Sequence, residues 1–195
     1  MKFTTAAAAS ALAAISAAAP LAAADDIVKS NQVFNVIAEA PGTDFDGLWW
    51  QASANGLLMG GTNQTASCGP KPHNYADFVI GDNALYLYTA NPPQQMAVYR
   101  DGMGRGLMQY TTGVQPAGRN SERTTFVVND DGYLVFRSVN ADDTGFQACA
   151  PAVGAKYSIW LQGWDNPTGS FDTCTKFKAR AVHAVDPVKC AYSTS

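Results

Sequence analysis

The chain has 195 residues, a formal net charge of −3, and 15% charged against 47% hydrophobic residues. A mildly acidic chain of this kind gives a phosphate backbone no electrostatic footing, which excludes nucleic acid as a partner class. Four cysteines, with no long apolar span beyond the first segment, point to a secreted rather than a membrane or cytosolic protein.

In chain order, the first segment is "MKFTTAAAASALAAISAAAPLAAADD", a lone Lys2, an Ala/Leu/Ile stretch, and small residues ahead of Asp25. Positive, apolar, then small is the order of a secretory signal, with cleavage after Ala24 the simplest reading. This gives a signal over 1–24 and a single β domain over 25–195. The alternative is a retained helical anchor, but Ala is too weakly apolar to hold a span and no basic stop-transfer cluster follows. No membrane partner is therefore expected. Loss of Lys2 makes the remaining chain one unit more negative than −3, and its roughly 170 residues suffice for one core.

From there, short apolar, β-branched or aromatic runs alternate with turn residues. "VFNVIAEA" is followed by Pro41-Gly42, and "LWWQAS" by Asn55-Gly56 and "LLMGG". "DFVIGDNALYLYT" turns at Gly81–Asn83 and then alternates Leu85 and Leu87 with Tyr86 and Tyr88. "MAVYRDGMGRGLMQY" reads as two strands around a Gly-rich turn. "TTFVVNDDGYLVFRS" predicts a hairpin with Asp131-Gly132 at the turn, because Gly accepts the positive φ that tight loops need. "KYSIWLQGW" and "FKARAVHAV" complete an all-β pattern. Similar units start near Phe34, Phe78 and Phe126, which favours a closed barrel of β-trefoil type over the alternative, a two-sheet sandwich.

An even number of cysteines in a secreted chain reads as disulfides. Of the three pairings open to Cys68, Cys149, Cys174 and Cys190, the favoured one joins Cys149 to Cys174 and so clips the two ends of the 157–164 segment. Cys68–Cys190 then ties down the C-terminus. The first loop would stabilise by roughly 3 kcal/mol on the chain-entropy model. Zinc is the alternative, but no CxxC occurs and only His73 and His183 stand by to help, so no metal or other cofactor is expected.

The inventory of reactive groups is thin. There is no GxSxG, HExxH or phosphate-cradling glycine motif. His73 sits in a proline-flanked loop and His183 in a strand pattern, where a structural histidine is the ordinary outcome. Asp130-Asp131, Asp142-Asp143, Asp44 and Asp46 all stand beside turn residues, which aspartate serves by bonding nearby backbone. "DFDG" resembles the start of a calcium loop but lacks its later acidic position. A carboxylate glycosidase would need two of Asp44, Asp46, Asp142, Asp165 and Asp172 to face each other across a cleft.

The tryptophans offer a different chemistry, since sugar rings stack on aromatic planes. Trp49 and Trp50 are neighbours in a strand pattern and so point to opposite faces, one core and one exposed. Trp160, Gln162 and Trp164 share a face if their strand stays regular. "QGW" also fits the Q-x-W element of sugar-binding trefoils, though without repeats. Core packing is the ordinary use of such residues. Trp49, Trp50 and Trp164 are the candidate glycan contacts. Asn63-Gln64-Thr65 is an open N-glycosylation sequon, whereas Asn166 is blocked by Pro167.

Taken together, "FNVIA", a Cys-Gly-Pro loop, "FVVNDDGYLVF", "FQACAPAVGAKYSIWLQG" and "CTKFKARAV" resemble the PhiA-like family of fungal cell wall proteins. The match is strongest in the C-terminal third: Ala148-Cys149-Ala150-Pro151, the 157–162 strand, Asp172, and Cys174 with Phe177. The family often carries two cysteines close together in its first cysteine region. This chain has only Cys68 there and adds Cys190. The resemblance implies a secreted, wall-associated protein tied to phialide and conidium development and to stress tolerance, some members being described as IgE-binding antigens. It transfers no catalytic residues. The expected partners are wall polysaccharide or other wall proteins. The reading is a non-enzymatic wall protein, with a glycan-binding module and a carboxylate glycosidase as the alternatives. The "VKCAYSTS" end lacks the apolar tail of a GPI signal, so retention in a wall would rest on non-covalent contact, disulfides or glycan linkage.

Overall fold

The computed structural model describes residues 27–69, 73–138, 142–163 and 171–194. The expected signal over 1–24, Trp164, Asp165 and the blocked Asn166 sequon lie outside the described residues. The elements are strands β1 Val33–Glu39, β2 Trp50–Ser53, β3 Gly56–Met59, β4 Ala66–Ser67, β5 Phe78–Gly81, β6 Ala84–Leu87, β7 Gln94–Tyr99, β8 Met108–Thr112, β9 Ser121–Glu122, β10 Phe126–Val128, β11 Tyr133–Arg137, β12 Asp143–Thr144, β13 Phe146–Ala150, β14 Tyr157–Leu161, β15 Thr173–His183 and β16 Ala191–Tyr192. One 3-10 turn, Gly102–Gly104, lies between β7 and β8. The all-β expectation holds.

Fourteen strands form one antiparallel sheet, and β4 pairs with β16 in a second small one. The main ladder runs β1-β5-β6-β7-β8-β3-β14-β13-β15, and β15 pairs back onto β1 over six residues, Phe34↔His183 to Glu39↔Lys178. The chain of pairings thus returns to its first strand. β11 extends from the other edge of β15, with Tyr133 opposite Arg180. These pairings do not by themselves establish a threefold trefoil.

Turn chemistry sets the hairpins. Ala54 and Asn55 both take positive φ (48° and 65°) between β2 and β3, and Asp82 and Asn83 do so (50° and 59°) between β5 and β6. Two successive left-handed residues give the loop twist that matches a right-twisted hairpin. The β10–β11 turn closes with Gly132 at φ 80° and the Asn129 side chain accepting from the Tyr133 amide at 2.9 Å.

Alternation decides what goes inside. Phe34, Val36 and Ala38 of β1, Leu134 and Phe136 of β11, and Phe177, Ala179 and Ala181 of β15 face the core. Phe34, Phe78 and Phe126, which open the three similar units, are all fully buried, and Phe34 stands directly opposite Phe78. At the centre lies Trp50, 0% exposed, edge-on to Phe146 at 5.0 Å and to Phe78 and Phe177 at 6.1 Å. Each such edge contact adds about 0.5–1.5 kcal/mol beyond area burial.

The segment "FQACAPAVGAKYSIWLQ" is not one strand but a hairpin. β13 pairs with β14 on one side and with β15 on the other, placing Cys149 opposite Cys174. The Cys149–Cys174 disulfide therefore links adjacent strands, and the loop it closes contains β14. The two bridged residues are the expected ones, and they sit on paired strands because Ala150 ends β13. The Cys68–Cys190 disulfide joins β4's loop to the C-terminal segment.

That segment is bound along its length. Gln94 grips Tyr192 from both sides, donating to its carbonyl (2.8 Å) and accepting from its amide (2.9 Å). The Tyr110 hydroxyl donates to the Ser193 carbonyl, and Ser193 donates its amide to the Thr65 carbonyl at 2.8 Å. Burial pushes the Tyr110 phenol up to about 12.

Candidate functional site

The outward face of the β1 region carries the chemistry. Trp49 forms a bridge to Ile37 of β1 and is 37% exposed, while its neighbour Trp50 points into the core. The adjacent loop brings two more rings alongside. Trp49 and Tyr75 have centroids 5.3 Å apart, tilted by 31°, and His73 stacks on Tyr75 at 4.0 Å and 12°. Three rings thus make a continuous stack at the surface. Trp50, being wholly enclosed, is withdrawn from the glycan contacts. Trp160 of β14 is also buried, against Phe171.

A polar layer holds the 73–77 loop rigid. Gln64 donates its side-chain amide to the carbonyls of His73 (2.9 Å) and Tyr75 (2.8 Å), and its backbone amide to Asn74 Oδ1 (2.6 Å). Gln51, on the outward side of β2 and buried, donates to the Gly61 and Asn74 carbonyls and accepts from the Gly61 amide. Gly61 is required there, since an added Cβ would lie 2.9 Å from Gln51 Oε1 and 3.1 Å from the Gly154 carbonyl. Asp77, with no exposure, accepts from Asn35 Nδ2 (2.5 Å) and the Val188 amide (2.8 Å), and pairs with His73 Nε2 at 3.0 Å. A buried carboxylate is tolerated only with such partners. His73 is in this way fixed by Asp77 below and Tyr75 beside it. Asp77 carries no sequence signal of this role, because Asn35 and Val188 come from distant segments.

The sequon lies in the same loop layer. Asn63 is exposed, and the Thr65 hydroxyl hydrogen-bonds those of Ser53 and Ser193.

On the far side of β1, Arg180 donates to Glu39 Oε1 at 2.7 Å, and the Tyr133 hydroxyl donates to Glu39 Oε2 at 2.8 Å. The guanidinium also covers the Tyr133 ring at 3.9 Å and donates to the Asp131 carbonyl at 2.6 Å. A Cβ on Gly132 would lie 2.9 Å from Arg180 Nη1, so the turn glycine leaves room for this cation. Burial pushes the Glu39 carboxyl up, but hydrogen bonds from Arg180 and Tyr133, with the Arg180 and Lys178 charges, outweigh it and bring the group below the usual carboxylate range. A groove of about 770 Å³ opens here between Glu39, Thr43, Tyr133, Gln162, Lys176 and Lys178.

The described aspartates considered for glycosidase chemistry serve turns or face solvent. Asp46 accepts from the Ala40 amide at 2.7 Å and Asp44 from the Tyr157 hydroxyl, while Asp142 and Asp172 are exposed. "DFDG" is therefore a turn whose Phe45 packs inward against Tyr157 and Phe177. Among the described residues no group of three or more His, Cys, Asp or Glu is placed to hold a metal ion, and no helix is long and apolar enough to cross a membrane.

The profile of the PhiA-like secreted protein family matches residues 34–193. The chain belongs to that family. It is 35% identical to cell wall protein phiA of Emericella nidulans over the whole of both chains. It is 35% identical to cell wall protein phiA of Aspergillus fumigatus over 84% of this chain and 86% of that one. Against the Aspergillus niger protein of the same name it is 31% identical, over 85% of this chain and 88% of that one. No solved structure matches significantly. This PhiA-like chain is a secreted protein of the fungal cell wall.

Proposed function

We propose that this PhiA-like chain is a non-catalytic wall protein that retains wall polysaccharide on the Trp49–Tyr75–His73 stack. The observation that carries the reading is an indole left 37% exposed beside a residue whose own ring is wholly enclosed in the core. A tryptophan normally hides such area, which is large enough to dominate local energetics. The flat faces suit the C–H faces of pyranose rings. The hydrogen bonds from Gln51 and Gln64 hold the loop in place before a ligand arrives, which lowers the ordering cost of binding. We take the part in phialide and conidium development and in stress tolerance, implied by the family resemblance, to be played from the wall.

The test is retention of purified protein on insoluble chitin and β-1,3-glucan. The unaltered protein is expected to be held, and Trp49→Ala to be released while remaining folded by circular dichroism. Equal retention of both would refute the reading.

A further inference from the structure

The register of the sheet joins the aromatic stack to the groove. Tyr133 of β11 stands opposite Arg180 of β15, Arg180 opposite Ile37 of β1, and Ile37 opposite Trp49. Directly opposed residues in antiparallel strands project from the same face. All four point away from the core, since Leu134, Ala179, Ala38 and Trp50 beside them point inward. With strands about 4.8 Å apart the row spans about 14 Å. It continues through Tyr75, 5.3 Å from Trp49, to His73, a further 4.0 Å. At its other end it opens into the groove beside Glu39 and Lys178.

We infer that this row and the groove form one continuous binding site for an extended, uncharged polysaccharide laid across the strands, with the aromatic stack at one end and the groove at the other. The inference rests on the wall-glycan reading above and deepens it. Length is the first argument, because the stack alone serves one or two sugar rings while the whole row matches a chain of them. Charge is the second. Arg180 on the row is matched by Glu39 at 2.7 Å, and the buried Asp77 carboxylate beside the stack is taken up by hydrogen bonds with Asn35, the Val188 amide and His73. In the groove Asp46 and Glu39 stand among Lys176 and Lys178, and with Glu39 already paired to Arg180 one positive charge is left over. A surplus of one charge gives a long polyanion or polycation little to hold, whereas the surface offers many donors and acceptors to hydroxyls. The Tyr133 hydroxyl, Glu39 and the Lys178 ammonium are the groups placed to receive them.

The test is calorimetric titration of the full chain with β-1,3-glucan and chitin oligosaccharides from disaccharide to octasaccharide, with a polyuronate and chitosan as charged comparisons. The octasaccharide is expected to bind at least about tenfold more tightly than the disaccharide, a gain of about 1.4 kcal/mol. The pair Tyr133→Phe and Lys178→Ala, at partly buried and exposed positions, should erase that gain and leave disaccharide affinity alone. Trp49→Ala should weaken both. Affinity that does not rise with length, a gain that survives in the Tyr133/Lys178 variant, or tighter binding of a charged polymer would overturn the extended site while leaving the stack as the contact. Failure of every neutral sugar to bind would instead remove both readings.

Discussion

Removing the two disulfides separately should have unequal effects, and their order can be worked out in advance. Cys68 and Cys190 are 122 residues apart in sequence, Cys149 and Cys174 only 25. In the chain-entropy treatment a crosslink stabilises by narrowing the unfolded ensemble, with a logarithmic dependence on loop length. The longer loop then contributes about 4.9 kcal/mol and the shorter about 3.5, a difference of about 1.4. Terms that do not depend on loop length largely cancel in this comparison, because each bridge has one sulfur-bearing residue fully enclosed, Cys190 and Cys149. The assay is urea unfolding of Cys68→Ala/Cys190→Ala against Cys149→Ala/Cys174→Ala, with slopes checked for equality before midpoints are compared. The first variant should be the less stable by about 1.4 kcal/mol. Equal stabilities, or the reverse order, would show that contacts between β13 and β15 outweigh chain statistics and would refute the reasoning.

Trp50→Ala should destabilise by about 3–5 kcal/mol, while Trp50→Phe, which keeps an edge contact and removes an indole N–H that meets no acceptor among the described residues, should cost about 1–2, both read by urea midpoints. Ala54→Gly should stabilise by about 0.5–1 kcal/mol, seen as a raised thermal midpoint, because a left-handed backbone strains any residue with a Cβ. Glu39 gives a pH signature: a carboxyl whose folded pKa is depressed adds stability above its unfolded value and loses it as pH falls through the folded one. Stability should therefore drop as pH falls below about 4.3, and Glu39→Gln should show a smaller drop in the same window when midpoints are compared. Protein secreted from a fungal host should lose mass on endoglycosidase treatment, and Asn63→Gln should abolish that loss.

The strand pattern was readable because alternation is local. Leu85 and Leu87 are buried and Tyr86 is not, and the Asp131-Gly132 turn falls where the glycine is needed. Period two also says that Trp49 and Trp50 diverge, but which one enters the core depends on Phe78, Phe146 and Phe177, all remote in sequence. The hairpin of β13 and β14 is less legible, because six residues, "PAVGAK", separate its strands and no two-residue turn signal marks the register. The row from Tyr133 to Trp49 was invisible for a different reason. Its members come from four segments, and only the register of β11, β15 and β1 makes them neighbours. No spacing within any one segment encodes that.

The pairing of β1 with β15 has a consequence for biogenesis. The earliest of the described strands to emerge during synthesis has as its main partner the last long one, so one of its hydrogen-bonding edges stays bare until nearly the whole polypeptide has been delivered. At ordinary elongation speeds that wait is on the order of ten seconds. Throughout it an adhesive edge is open to nascent neighbours, and protection by lumenal chaperones, more than intrinsic rate, would set the yield of secreted material.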